Sequence, residues 1–231
     1  MPNNDVLERA KLLDVNAGVV PSGAIPALAQ VATTLTSTDW SALLEPPLSY
    51  SQAVTFDPSR GVAPAFQIDS MKSQRSVSVG GIRLEGHEYA GNRDLRQSQL
   101  PELITRVATA VGIQEISAVV GSQAYVIDTV NEKTAAKVIT DGLHRDTTGW
   151  FEEKIQAYGG AGRLFLGEEG VNYTLAIEPQ GNEIGTKTVW MSTAFFAPTR
   201  EVPSAEDVRR MMCRAPELLE MFVSHVLEHA L

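Results

Sequence analysis

The sequence predicts an α+β protein, an antiparallel or mixed sheet covered by helices, and three observations carry that prediction. Apolar residues recur at helical spacing in some segments and alternate strictly in others. Two pairs of alternating runs are joined by turn chemistry, the signature of hairpins. One stretch, Ile116–Asp128, is mainly apolar on both faces and so reads as a strand buried in the middle of the sheet. The chain has 231 residues, 43% of them apolar and 20% charged, enough to bury a sizeable core without disulfides or metal staples.

In chain order, Asp5 caps a first predicted helix carrying Val6, Leu7, Ala10 and Leu13, which ends near Gly18. Ile25, Leu28, Ala29, Ala32 and Leu35 fit one face of a second helix, with Pro26 early enough to be tolerated. Pro46-Pro47 forbids a helix from continuing, so residues 1–45 read as a helical preface. From Leu48 the period changes to 2. Leu48, Tyr50, Val54 and Phe56, the turn Asp57-Pro-Ser-Arg-Gly61, then Val62, Phe66 and Ile68 predict one hairpin. Val77 and Val79, a Gly80-Gly81 loop, and Ile82 and Leu84 predict a second.

Ser98 is the expected N-cap of a helix with the stripe Leu100, Leu103, Ile104, Val107, Ala108 and Val111, closed by Gly112. After the two-faced strand come a helix at Ala135, Val138, Ile139 and Leu143 and another at Trp150, Phe151 and Ile155. Three strands are expected at 163–166, 171–178 and 186–197. Ser204 and Asp207 resemble a capping box ahead of the longest apolar stripe in the chain, a C-terminal helix expected to kink near Pro216. Residues 46–231 thus read as one α+β domain. A two-fold echo suggests related halves, 46–130 and 131–231, sharing one sheet.

Bulk properties exclude some functions. The net charge of −9 disfavours general nucleic-acid binding. A single cysteine, Cys213, rules out an internal disulfide and fits a reducing compartment. The start lacks the regions of a signal peptide, and no run reaches the roughly 18 to 20 apolar residues of a membrane helix. The expectation is a cytoplasmic protein without membrane or cofactor.

Candidate chemistry is sparse. His87, Glu88 and Tyr89 are the catalytic candidates: a histidine between Glu85 and Glu88 could serve as a general base oriented by a carboxylate. His225, Glu228 and His229 have the spacing of an inverted zinc-protease motif, but nothing downstream can supply a third ligand, so zinc is disfavoured. The glycine-rich run 158–163 precedes a strand where phosphate-binding loops precede a helix. Met211, Met212, Leu218, Met221 and Phe222 on the terminal helix are the candidates for gripping a partner, another protein or a second copy.

From Ser76 onwards, over roughly two thirds of the chain, the order of features resembles a family of bacterial conserved hypothetical proteins. Its members carry a hairpin, a tyrosine before a helix, and a strand typified by Gly-Leu-Arg-Tyr-Ile-Asn. Here Gly121-Ser-Gln-Ala-Tyr-Val-Ile-Asp128 occupies that place, after Tyr89. Gln123 or Ala124 stands where the arginine would be, and one extra residue separates Gly121 from Tyr125. The resemblance implies an α+β fold and brings no activity. The functional expectation is therefore a non-enzymatic interaction or accessory protein. The alternative is a small-molecule-binding protein or enzyme with a cleft near His87 and Tyr125.

Overall fold

A computed structural model describes residues 6–23, 25–57, 61–89, 94–129, 134–143, 161–181 and 185–227, without the side chains of residues 55–57. Among the described residues nine strands form a single sheet in the order β2-β3-β4-β5-β1-β6-β9-β8-β7, every neighbouring pair antiparallel. The strands are β1 (Lys11–Pro21), β2 (Leu48–Asp57), β3 (Gly61–Ser70), β4 (Arg75–Gly80), β5 (Leu84–Tyr89), β6 (Ile116–Asp128), β7 (Gly162–Glu168), β8 (Val171–Pro179) and β9 (Thr188–Pro198). The helices are α1 (Val6–Arg9), α2 (Leu28–Ser37), α3 (Leu100–Ala110), α4 (Ala135–Leu143) and α5 (Ala205–Leu227).

The order of elements repeats. Each half has a strand, a helix, a meander and a second helix: β1-α2-β2-β3-β4-β5-α3, then β6-α4-β7-β8-β9-α5. In each half the first strand lies beside the last, and the halves meet where β1 pairs with β6. Among the described elements the two runs begin at Lys11 and Ile116, with four strands in the first meander and three in the second.

The largest departure from the sequence reading is β1. Residues expected in a first helix supply instead a strand at the seam of the sheet, and only the single turn Val6–Arg9 is helical. Val15, Ala17 and Val19 point to one face and Asp14, Asn16 and Gly18 to the other, so a period of 2 prevails over the helical spacing of Leu7, Ala10 and Leu13. Two smaller shifts occur. The helix α2 begins only at Leu28, beyond Pro26, and Gly80 N–H donates to Arg83 O at 2.9 Å, which makes Gly81-Ile82 the loop of the second hairpin. The other described strands and helices fall where periodicity places them; the helix expected at Trp150–Ile155 falls outside the described residues.

All the described helices long enough to pack lie on one face. Leu100 and Ile104 of α3 sit directly over Gly86, where an added Cβ would come within 2.7 Å of Leu100 Cδ1. α4 crosses α5 with Gly142 against the Val226 backbone, a contact no side chain would fit. Beneath α2 and the segment after it, Trp40 is buried and donates its Nε1–H to Leu35 O (2.8 Å), while Arg106 of α3 lies 5.6 Å from its ring centroid. α1 is held by Glu220, whose carboxylate accepts from Val6 N (3.0 Å) and Leu7 N (2.7 Å).

This one-sided covering corrects the expectation for β6. Val119, Gln123, Tyr125 and Ile127 are buried under the helices, but Val120, Ser122, Ala124 and Val126 on the opposite face are only half-buried. The strand is central without being sandwiched, the arrangement of antiparallel sheets with one solvated side.

α5 starts at the predicted box, Ser204 Oγ accepting from Asp207 N (3.1 Å) and donating to Asp207 Oδ2 (2.7 Å). It then runs unbroken through Pro216. Proline has no N–H for the carbonyl four residues earlier, that of Met212. The sheet fills the vacancy: Gln123 Nε2 donates to Met212 O at 2.6 Å, and Gln123 Oε1 accepts from Tyr125 Oη at 3.0 Å. We predict that Gln123→Leu destabilises the protein by about 1–3 kcal/mol, because it orphans a buried carbonyl and a buried hydroxyl. Adding Pro216→Ala should return part of that loss, since the alanine would bring a backbone N–H as the helical partner of Met212 O. Urea midpoints for both variants and their combination measure this, and additive losses would refute the assignment.

Candidate functional site

The open face of the sheet is divided. Registers place Asp14 and Asn16 of β1, Glu85 and His87 of β5 and Ser122 of β6 side by side on it. On the other flank β6, β9, β8 and β7 present Val120, Val126, Trp190, Ala194, Phe196 and Phe165. Phe165 is 72% exposed and Phe196 46%.

His87 is the centre of the polar half. Its Nδ1 lies 3.7 Å from Asp14 Oδ1 and its Nε2 3.8 Å from Glu85 Oε2, ion-pair distances rather than direct hydrogen bonds. Glu85 is further tied to Arg83 at 2.7 Å, and Asn16 Nδ2 donates to Ser122 Oγ at 2.7 Å. Burial is the largest influence on His87 and favours the neutral ring, but the combined pull of Asp14 and Glu85 outweighs it and raises the pKa to about 9. A pKa raised in this way favours the protonated ring near neutral pH, a donor and a cation, which weakens the expected role as general base.

Glu88 and Tyr89 do not join it as a triad. Neighbouring residues of a strand face opposite ways, and Glu88 points under α3, 3% exposed. There it accepts from Arg75 Nε (3.1 Å) and Ser98 Oγ (2.5 Å), while Ser98 Oγ accepts from Leu100 N (3.2 Å). The N-cap of α3 is Gln99 rather than the expected Ser98, and Ser98 instead forms part of a buried clamp at the start of the helix. Tyr89, 56% exposed, ends β5 on the His87 side. Tyr125 is buried on the helix face, where desolvation raises its pKa. His87 and Tyr125 therefore lie on opposite sides of the sheet and cannot line one cleft.

The terminal-helix candidates are mostly core. Met211, Met212 and Leu218 are buried and Phe222 packs against the core, leaving Met221, 66% exposed, as the one free apolar side chain of the five. His225 is exposed on α5, whereas Glu228 and His229 lie outside the described residues. Among the described residues no three of His, Cys, Asp and Glu converge as a metal site would require. Residues 158–160 of the glycine-rich run also lie outside the described residues, and Gly162 and Arg163 open β7. Cys213 is half-buried and its thiol is pushed up by desolvation, the opposite of an activated nucleophile.

Two cavities lie away from His87. One, of about 730 Å³, sits at the ends of β1, β6 and β9 between Ser22, Glu115, Ser117, Thr199 and Glu201. The other, of about 680 Å³, lies between α5 and the β7–β8 turn. Its arginines are largely engaged. Arg214 grips Glu168 through Nε (2.8 Å) and Nη2 (2.7 Å) and Glu217 through Nη1 (3.0 Å). Arg209 pairs with Glu102 and donates to Ser98 O (2.7 Å). These are struts between elements.

Sequence reasoning missed Asp14, Asn16 and Ser122. For the first two a signal existed in the alternation of Asp14, Asn16 and Gly18 with Val15, Ala17 and Val19. No family model, curated protein or solved structure matches the chain. No described helix is long and apolar enough to cross a membrane.

The raised pKa of His87 has a stability consequence with a definite sign. A folded pKa above the unfolded value contributes stability below about pH 6.5, and that contribution fades as pH rises through about 9. His87→Gln should therefore lose most relative to the native chain near pH 6, with the difference closing toward pH 10. Urea unfolding of both proteins across that range tests the sign, and an NMR titration of the His87 ring with a midpoint at or below 6.5 would contradict it.

Proposed function

We propose that this is a non-enzymatic interaction protein whose binding surface is the open face of the sheet, chiefly the flank formed by β6, β9, β8 and β7. One observation carries the reading. The described helices satisfy the opposite face, while this face keeps two exposed phenylalanines beside half-buried Val120, Val126 and Trp190. The raised pKa of His87 supports it from the other side, because a ring that holds its proton is a poor general base. The partner surface thus moves from the terminal helix, whose apolar stripe is internal, to the sheet.

A second reading is favoured by a different observation. Among the described residues Asp14 Oδ1, 3.7 Å from His87 Nδ1, and Asn16 Oδ1 are buried acceptors without a hydrogen-bond partner. A small ligand with N–H or O–H donors would satisfy both.

The test uses the full chain as bait in extract from its source cell, with Phe165→Glu, Phe196→Glu, Met221→Glu and His87→Gln in parallel. On the first reading, proteins retained by the native chain and by Met221→Glu fall about tenfold or more with either phenylalanine variant, the scale of losing an anchor residue. Equal retention by all four variants would remove the open apolar flank from consideration. Loss confined to His87→Gln would move the protein contact to the polar half of the face.

A further inference from the structure

The two edges of the sheet are built differently. β7 is seven residues long, carries Arg163 and Glu168, and has glycines at 162 and 167. Short length, charge and glycine are the devices by which proteins blunt an edge against pairing. β2 has none of them before its last residue, Asp57. It is ten residues long, without glycine or proline, and uncharged from Leu48 to Phe56. Its outer side pairs with no described strand.

The edge also projects. β4 pairs with β3 only over Ala65–Ser70, so the β2–β3 hairpin overhangs it from Val54 and Pro64 outwards. Val54 is 70% exposed, Val62 67% and Tyr50 41%. Tyr50 is also stacked on Phe66, with ring centroids 6.3 Å apart. Its position is set before any partner arrives, which lowers the ordering cost of binding.

We propose that β2 is a dimerisation edge that pairs antiparallel with β2 of a second copy, about a two-fold axis passing at Gln52. Facing residues in an antiparallel pair share a side of the sheet. A two-fold at Gln52 keeps the sides in register. It sets Tyr50 of one copy against Val54 of the other, Ser51 against Ala53, and Gln52 against itself. No like charges oppose one another along this stretch. The partner is a second copy rather than a foreign strand for two reasons. The strand is complementary to itself, and the pairing closes: it joins both sheets into one that ends on the blunted β7 at either side, so nothing is left to recruit a third. The inference goes beyond the open-face reading and is independent of it, since the unpaired backbone of β2 carries it.

Sedimentation velocity on the full chain over a wide concentration range tests the proposal, with Gln52→Lys, Gln52→Glu and their equimolar mixture. The native chain should be dimeric. Each charged variant, confirmed folded by circular dichroism, should dissociate at least about tenfold more readily because like charges meet on the axis. The mixture should restore the dimer. In a Cys213→Ser background, Gln52→Cys should cross-link to itself on oxidation, since only a residue on the axis faces its own copy closely enough. A native chain that is monomeric throughout overturns the proposal. So does a dimer indifferent to both charges, a mixture of folded variants that stays monomeric, or a persistent dimer of the Gln52→Cys variant that does not cross-link.

Discussion

Pro216 forces the contact on which the packing of this molecule turns. It lies inside a 23-residue helix, where it deprives Met212 O of its amide. A buried carbonyl without a donor is expensive, so the helix can seat only where the sheet provides one. Gln123 does so from the middle of β6, and Tyr125 fixes the other end of its amide. Hydrophobic burial alone would tolerate α5 sliding along the sheet. A directional bond from one strand position to one helix carbonyl fixes its register, and with it the position of Arg214 over Glu168 and of Glu220 over α1.

The same logic of paired buried groups recurs under α3. Arg75, Glu88 and Ser98 form a closed set in which the carboxylate meets both a guanidinium and a hydroxyl, and Arg75 Nη1 goes on to Leu43 O (3.0 Å) and Gln99 Oε1 (2.8 Å). A polar network this enclosed orients the helix start over β5 and the segment after α2 at once. In both halves of the repeat, therefore, the second helix is tied down by a polar side chain that rises from a strand. The helices occupy one face because each half folds its own helices back over its own meander on the same side. The other face is left to whatever its side chains can attract.

Much of this architecture was legible in the residues. The pairing of β2 with β3, the stripe of α3, the three strands of the second half and the Ser204–Asp207 box each follow from a local rule that tertiary packing did not override. β1 was not legible because two periods overlap there: Leu7, Ala10 and Leu13 fit a helix, while Val15, Ala17 and Val19 fit a strand. Only pairing with β5 and β6 decides between them. β6 misled for a different reason. Its open side consists of Ala118, Val120, Ser122, Ala124 and Val126, and a two-letter reading of apolar and polar scores alanine and valine as core wherever they stand. Of the site, His87 could be picked out, and strand alternation alone separates it from Glu88. Asp14 and Ser122 reach it from distant parts of the chain, and no local pattern announces that.

Those distant neighbours change what His87 can be. A histidine beside one carboxylate is a familiar acid–base pair, because the carboxylate orients a ring that still loses its proton in the working range. Between two carboxylates the proton is held too firmly, and the ring becomes a fixed charge shared by β1 and β5. Arg83 and His87 together balance Glu85 and Asp14, and among the described residues Asp14 Oδ1 and Asn16 Oδ1 accept no hydrogen bond. The polar half of the open face thus asks for hydrogen-bond donors, and the half around Phe165 and Phe196 for apolar area. On the proposed reading, a surface with two such unlike demands on either side of the β1–β6 seam would discriminate through both at once. A flat apolar ligand would leave the acceptors of Asp14 and Asn16 stranded, and a polar one would leave the phenylalanines wet.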